Sequence, residues 1–264
     1  MVDQMKAHDT GLAEAKWNPG ADPHAAADAL EHQQMDEFGN IFFPKSALGH
    51  LEDGNIAIDF GSGMKIHSGE DPRLPRMPER PTLQDFFRHR FNWSQKHILL
   101  SAQLAIKNGC PEKMVLACLL HDISICGFLR SDHGYWGSQL IAPYVDEEVS
   151  WAIREHQACR FFADPDFNYE YPESYVQMFG PNYVLPAYIQ EEYKRARAHK
   201  WYGSARTICV NDLYSFNPDD VVPPIEAFDD IIGRHFKTPK EGLGNDNSPA
   251  SHMWRTIIRP SNPL

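Results

Sequence analysis

The chain has 264 residues, enough for one domain with decoration on a prior of roughly 150 residues per domain. It is 42% hydrophobic, its mean hydropathy is −0.49, and its net charge is −11, from 25 Lys+Arg against 36 Asp+Glu. That balance excludes nucleic acid and an anionic membrane surface as main partners, while leaving room for an anionic substrate in a locally basic pocket.

Residues 1–81 read as an N-terminal extension, partly irregular. It is polar and Ala-rich to about Gln34, then has short strands over Asn40–Pro44 and Asn55–His67, the second broken by Gly61-Ser62-Gly63. Four prolines between Asp71 and Pro81 make an extended connector and set the boundary. Residues 82–237 read as a helical domain. Thr82 is placed to cap Leu83–Phe91, and Ser94 to cap a helix whose Ile98, Leu99, Ala102, Ala105 and Ile106 share one face, ending at Asn108-Gly109. Pro111 suits the first turn of a central apolar helix over Met114–Ile123. Ser131 opens Gly134–Tyr144, and Asp146-Glu147-Glu148 favours the dipole of Val149–Cys159. Asp164–Pro181, rich in Tyr, Pro and Asn, reads as a loop. Helices follow over Pro186–Lys200, Ser204–Phe216 and Pro224–Phe236, and residues 238–264 read as an irregular tail. The fold class is all-α.

Five cysteines, Cys110, Cys118, Cys126, Cys159 and Cys209, lack Cys-x-x-Cys spacing and read as free thiols of a cytoplasmic protein. The N-terminus carries no apolar signal-peptide core, no apolar run approaches the ~20 residues that span a bilayer, and no Gly-rich phosphate loop occurs. The anomaly is thirteen histidines, since imidazole is the commonest metal ligand. Nine lie in polar terminal segments, the extension, or beside basic residues on helices. The other four fall on or beside predicted core helices in the order His97, His121-Asp122, His133, His156, followed by Asp212. His121-Asp122 ends a buried apolar run, where an unpaired charge is expensive unless it binds a metal. Four imidazoles and two carboxylates suit iron, manganese or zinc, and Asp122 can bridge two ions through its two oxygens.

This order, His97…His121-Asp122…Asp212 over Thr82–Phe216, resembles the HD-domain superfamily, an all-α metal-dependent helical bundle. His133 and His156 look like the additional ligands of its dinuclear members. Asp212-Leu213-Tyr214-Ser215, the segment His156–Phe162 and His133-Gly134-Tyr135-Trp136-Gly137 are most similar to the mixed-valence diiron oxygenases of the myo-inositol oxygenase and phosphonate-cleaving type. The resemblance implies two Fe ions, Fe(II)/Fe(III), held by His97, His121, Asp122, His133, His156 and Asp212. It further implies O2 as co-substrate and oxidation of a C–H bond in a small hydroxylated, anionic substrate, with C–C or C–P cleavage as the outcome. Arg160 then takes the anionic group, and Tyr135 and Ser174 supply hydroxyl contacts. The segment Phe161–Tyr175 and the N-terminal extension close the pocket. Where many relatives carry a polar residue three after the aspartate, this chain has Ile125, and Arg90–Trp93 lacks the acidic gate of the phosphonate oxygenases, so the substrate is expected to differ. Two alternatives stay open. One is an HD-type phosphohydrolase holding Mn or Mg and acting on a small phosphate ester or nucleotide. The other is a helical module with a structural metal. Partners are expected to be the substrate and O2, with a homodimer as one arrangement.

Overall fold

A computed structural model describes residues 48–50, 56–59, 65–67, 74–91, 95–127, 129, 131–215 and 220–259. The chain divides into two compact units, Met1–His67 and Ser68–Leu264. In the first, β1 (Leu48–His50), β2 (Ile56–Asp59) and β3 (Lys65–His67) form an antiparallel sheet in that order, with Ala57 opposite His67 and Asp59 opposite Lys65. The broken strand expected over Asn55–His67 is therefore a hairpin. The strand expected at Asn40–Pro44, the turn Gly61-Ser62-Gly63 and the Ser94 cap lie outside the described residues.

The second unit is all-α. Its helices are α1 (Leu83–His89), α2 (Gln95–Lys107), α3 (Glu112–Leu120), α4 (Ile123–Gly127), α5 (His133–Ile141), α6 (Glu147–Arg160), α7 (Glu173–Phe179), α8 (Ala187–Arg197), α9 (Tyr202–Leu213), α10 (Asp229–His235) and α11 (Ser251–Ile258). Thr82 starts α1 through a reciprocal cap: its hydroxyl accepts from Asp85 N, and its own N donates to Asp85 Oδ2 at 2.9 Å. Helix α3 is buried from Met114 through Leu120, as a helix apolar on all sides must be. It packs against α2, α6, α9 and α10, while α6 packs against α5, α8 and α9.

Three boundaries are corrected. The compact helical unit begins at Ser68, not Thr82, because the connector packs onto it: Met77 is buried and Leu243 N donates to Pro81 O at 2.8 Å. The expected irregular tail contains α11, whose Trp254 is fully buried, meets the Phe86 ring at 4.6 Å and donates its indole N–H to Leu140 O. The expected loop Asp164–Pro181 contains α7, which starts after Pro172 and stops at Gly180 (φ +87°). In both misread segments Pro, Gly and polar residues mask short apolar faces.

A second buried cluster holds the end of α6 against α9. Arg206, fully buried on α9, donates to the carbonyls of Cys159 and Phe162 at 2.9 Å and to the Tyr202 hydroxyl at 2.6 Å. Asp164 faces it and accepts from Arg197 and Tyr202. A buried guanidinium needs such partners to offset lost hydration, and here they fix the turn that follows α6.

Candidate metal centre

Six helices bring six side chains to one place. His97 sits in the first turn of α2, and His121 and Asp122 at the junction of α3 and α4. His133 is the first residue of α5, His156 lies on α6, and Asp212 is the penultimate residue of α9. The α5–α6 approach depends on Gly134. A Cβ there would stand 2.8 Å from Ile153 O and 2.9 Å from Arg154 O, inside contact distance. Without a side chain, α5 comes close enough for His133 Nε2 to lie 3.2 Å from His156 Nε2.

Three of the rings are oriented by their far nitrogens. His121 Nδ1 is 2.7 Å from Cys118 O, and His156 Nδ1 is 2.5 Å from Ile153 O. A carbonyl only accepts, so both Nδ1 atoms carry the proton and both Nε2 lone pairs point inward. His97 Nδ1 is 3.2 Å from Ser215 Oγ, whose own proton goes to Asp212 O at 3.0 Å. The serine thus accepts from His97, and the third Nε2 also faces in. Metal-binding histidines are held in this way.

The inward atoms form two pairs about Asp122. His97 Nε2 lies 3.0 Å from Asp212 Oδ1 and 3.7 Å from Asp122 Oδ2, and His121 Nε2 lies 3.8 Å and 3.6 Å from the same oxygens. Across Asp122, His133 and His156 approach its other oxygen, Oδ1, at 3.3 Å and 4.0 Å. Ligand atoms of His97, His121 and Asp212 fall within 4.8 Å of one another, as do those of His121, Asp122 and His156. Ions with bonds of about 2.0–2.2 Å bring donors to such separations. His121 Nε2 is buried without a hydrogen-bond partner, while Asp212 is met by His97 Nε2 at Oδ1 and by Arg160 at Oδ2. An orphan such as His121 Nε2 costs on the order of 1–3 kcal/mol unless something not made of protein meets it. These buried His/Asp groups can bind a metal.

The electrostatics agree. Burial, reinforced by neighbouring His121, holds His97 down to about 3, and burial with His133 and His121 holds His156 well below its ordinary value. Neutral imidazole is the ligating form. Burial pushes Asp122 up, but the four imidazoles around it more than reverse this and hold it below the usual carboxylate range. His121, His156 and Asp212 are essentially inaccessible, whereas His97, Asp122 and His133 side chains are 13–14% exposed, so solvent reaches the centre past these three.

The other expected site residues divide. Arg160, one turn after His156 on α6, lies against Asp212 Oδ2, and its side chain is 11% exposed. Burial would lower its pKa, but the tyrosines 175 and 169 keep it raised. Tyr135 is not at the cluster: it is exposed on α5 beside Trp136 and Arg154. Ser174 is exposed on α7. Its neighbour Tyr175 lies nearer the cluster, its ring 5.1 Å from the Arg160 guanidinium and packed on Phe161 and Phe179. Sequence reasoning missed Tyr175 because the helical face of α7 was hidden in a segment read as a loop. Ile125 is half-buried on α4 and supplies no polar group. Of the extension expected to close the pocket, residues 1–67 form the first unit, most of it outside the described residues.

Three of the histidines expected to be incidental have ordinary partners. His235 meets Glu112, His199 accepts from Trp201 N, and His252 accepts from Arg255. Four of the cysteines are buried, Cys110 is half-buried, and all are free thiols. No helix among the described residues is long and apolar enough to cross a membrane. No model of a known protein family matches the chain, and no curated protein matches it significantly.

Proposed function

We propose that the chain is a non-heme diiron oxygenase of HD-domain type, oxidising a C–H bond of a small hydroxylated, anionic substrate. The observation that carries this reading is the division of six ligands about Asp122, one carboxylate oxygen toward His97 and His121 and the other toward His133 and His156. His97, His121 and Asp212 would hold one ion, His133 and His156 the other, and Asp122 both. Nitrogen and carboxylate donors without thiolate suit iron. Bound there, the two irons would supply O2 activation and polarisation of a substrate hydroxyl.

The chain's own residues do the rest. Ser215, Cys118 O and Ile153 O hold three imidazoles in the ligating tautomer. Arg160, steadied by the Tyr175 ring, offers a guanidinium to the substrate's anionic group at the edge of the centre. Phe161, Tyr175 and Phe179 form an aromatic wall that keeps water from the reacting carbon. No residue near Asp122 on α4 supplies a general acid, since the position three residues on is Ile125, which disfavours phosphate-ester hydrolysis.

Metal analysis and low-temperature EPR of protein from iron-replete cells test the reading. About two irons per chain with a mixed-valence S = 1/2 signal are expected. Binding of a single Mn or Mg with turnover of a generic phosphate ester would replace it by the hydrolase. His133→Ala and His156→Ala should each lose one ion, and retention of both in either variant would remove that residue from the site.

A further inference from the structure

Far from the metal centre in sequence, three pieces of backbone enclose an open cleft of about 970 Å3. One wall is the segment 76–81, the second is the loop 240–245, and the third is a face of α11. It shares no residue with the metal cluster. Its size is at the upper end for small-molecule sites, about 300–1,000 Å3, but its character is not theirs. Five cations line it, Arg76, Arg80, Lys240, Arg255 and Arg259, against two carboxylates, Glu79 and Glu241. A net charge of +3 is thus gathered in one cleft of a chain whose total is −11.

The carboxylates do not neutralise four of these cations. Among the described residues, Arg80, Lys240, Arg255 and Arg259 have no acidic group within ion-pair distance. Like charges gathered within a Debye length, about 8 Å at physiological salt, repel unless a counter-charge joins them. The walls are fixed. Leu243 N donates to Pro81 O, and Asn245 donates to Glu79 O at 2.9 Å. Buried Arg90 ties Pro75 O to the last carbonyls of α11. Gly242, at φ +87°, passes so close to Pro81 that a Cβ would lie 2.5 Å from its nitrogen. Arg255 is itself held, donating to Gly244 O, Ser251 Oγ and His252 Nδ1. A rigid frame carrying cations loses little entropy when an anion arrives.

We propose that this cleft binds a compact polyanion with two or more phosphate or carboxylate groups, separate from the substrate of the metal centre. The guanidinium fork suits either group. The cleft has no aromatic ring on which a base could stack, so the ligand is recognised by its charges.

Calorimetric titration of the intact protein with inorganic pyrophosphate, and separately with citrate, tests this, with metal content followed throughout because both probes chelate. Saturable binding of one of the two is expected, and the stronger arm tells phosphate from carboxylate. That binding should weaken at least about tenfold in Arg255→Ala and in Lys240→Ala, weaken again at higher salt, and tighten in Glu241→Gln. Lys240 is exposed and makes no hydrogen bond or ion pair among the described residues, so its variant reads binding even if Arg255→Ala disturbs α11. Asp122→Ala, which removes the shared metal ligand, should leave the binding in place. Binding unchanged in both Arg255→Ala and Lys240→Ala, binding abolished by Asp122→Ala, or no saturable binding of either probe would overturn the proposal.

Discussion

Ser215 makes the smallest contribution to the centre by volume and one of the larger ones by consequence. Its hydroxyl passes one proton to Asp212 O and receives one from His97 Nδ1, so one residue ties the first and last ligands of the sequence together. Ser215→Ala leaves every ligand in place but frees the His97 ring to adopt the other tautomer. Metal affinity should fall about 10–100-fold, read by chelator competition, with little change in thermal midpoint. The buried histidines also set how the metal-free fold responds to acid. His97 titrates near 3 in the fold against 6.5 in the unfolded chain. Between those values the unfolded chain binds a proton that the folded chain refuses, so this stability is complete above pH 6.5 and drains away as pH falls toward 3. His156 acts in the same direction. The unfolding free energy of the metal-free protein from urea titrations should fall across that window, by up to about 1.4 kcal/mol per pH unit for each such histidine.

At the scale of elements, the centre depends on how closely α5 and α6 approach. Gly134 donates its N–H to Gln157 Oε1 and has no side chain to hold the helices apart. Gly134→Ala cannot be relieved by a side-chain rotation, because the obstructing atoms are the carbonyls of Ile153 and Arg154. Overpacking of this kind costs about 1–3 kcal/mol. The variant should melt earlier and also lose occupancy at His133 and His156, seen as one ion fewer per chain, while the His97–His121–Asp212 group keeps its own. The helix patterns of α1, α2, α3 and α6 were legible in the sequence, since each has a cap or a continuous apolar face. Helix α7 was not. Among its exposed residues are Val176, Met178 and Phe179, and it buries no residue fully, so local pattern carries little trace of the face that Tyr175 turns to Arg160.

Across the whole molecule, the C-terminal segment closes the core that the first helices open. Trp254 packs on Phe86 and Phe91, reaches Leu140 O through its indole nitrogen, and is fully buried. Trp254→Ala should cost about 3–5 kcal/mol, with a large drop in the thermal midpoint. Because none of the ligands touches this aromatic cluster, the folded fraction should keep its full metal content below the transition, which native mass spectrometry would show.

The sequence by itself determined the helical class and singled out the six residues that the fold brings together. Both rest on local information, on apolar spacing in the one case and on unpaired polar residues beside buried runs in the other. That Arg160 shares the face of His156 was also legible, because residues one helical turn apart lie on one side of a helix, whereas its ion pair with Asp212 was not. Only the tertiary structure decided which ligands face which. The split about Asp122, the proton carried on three of the imidazoles, the approach of Tyr175 to Arg160 and the gathering of five cations beside α11 all join separate segments of the chain. Such juxtapositions are set by helix packing, to which periodicity within any one segment is blind.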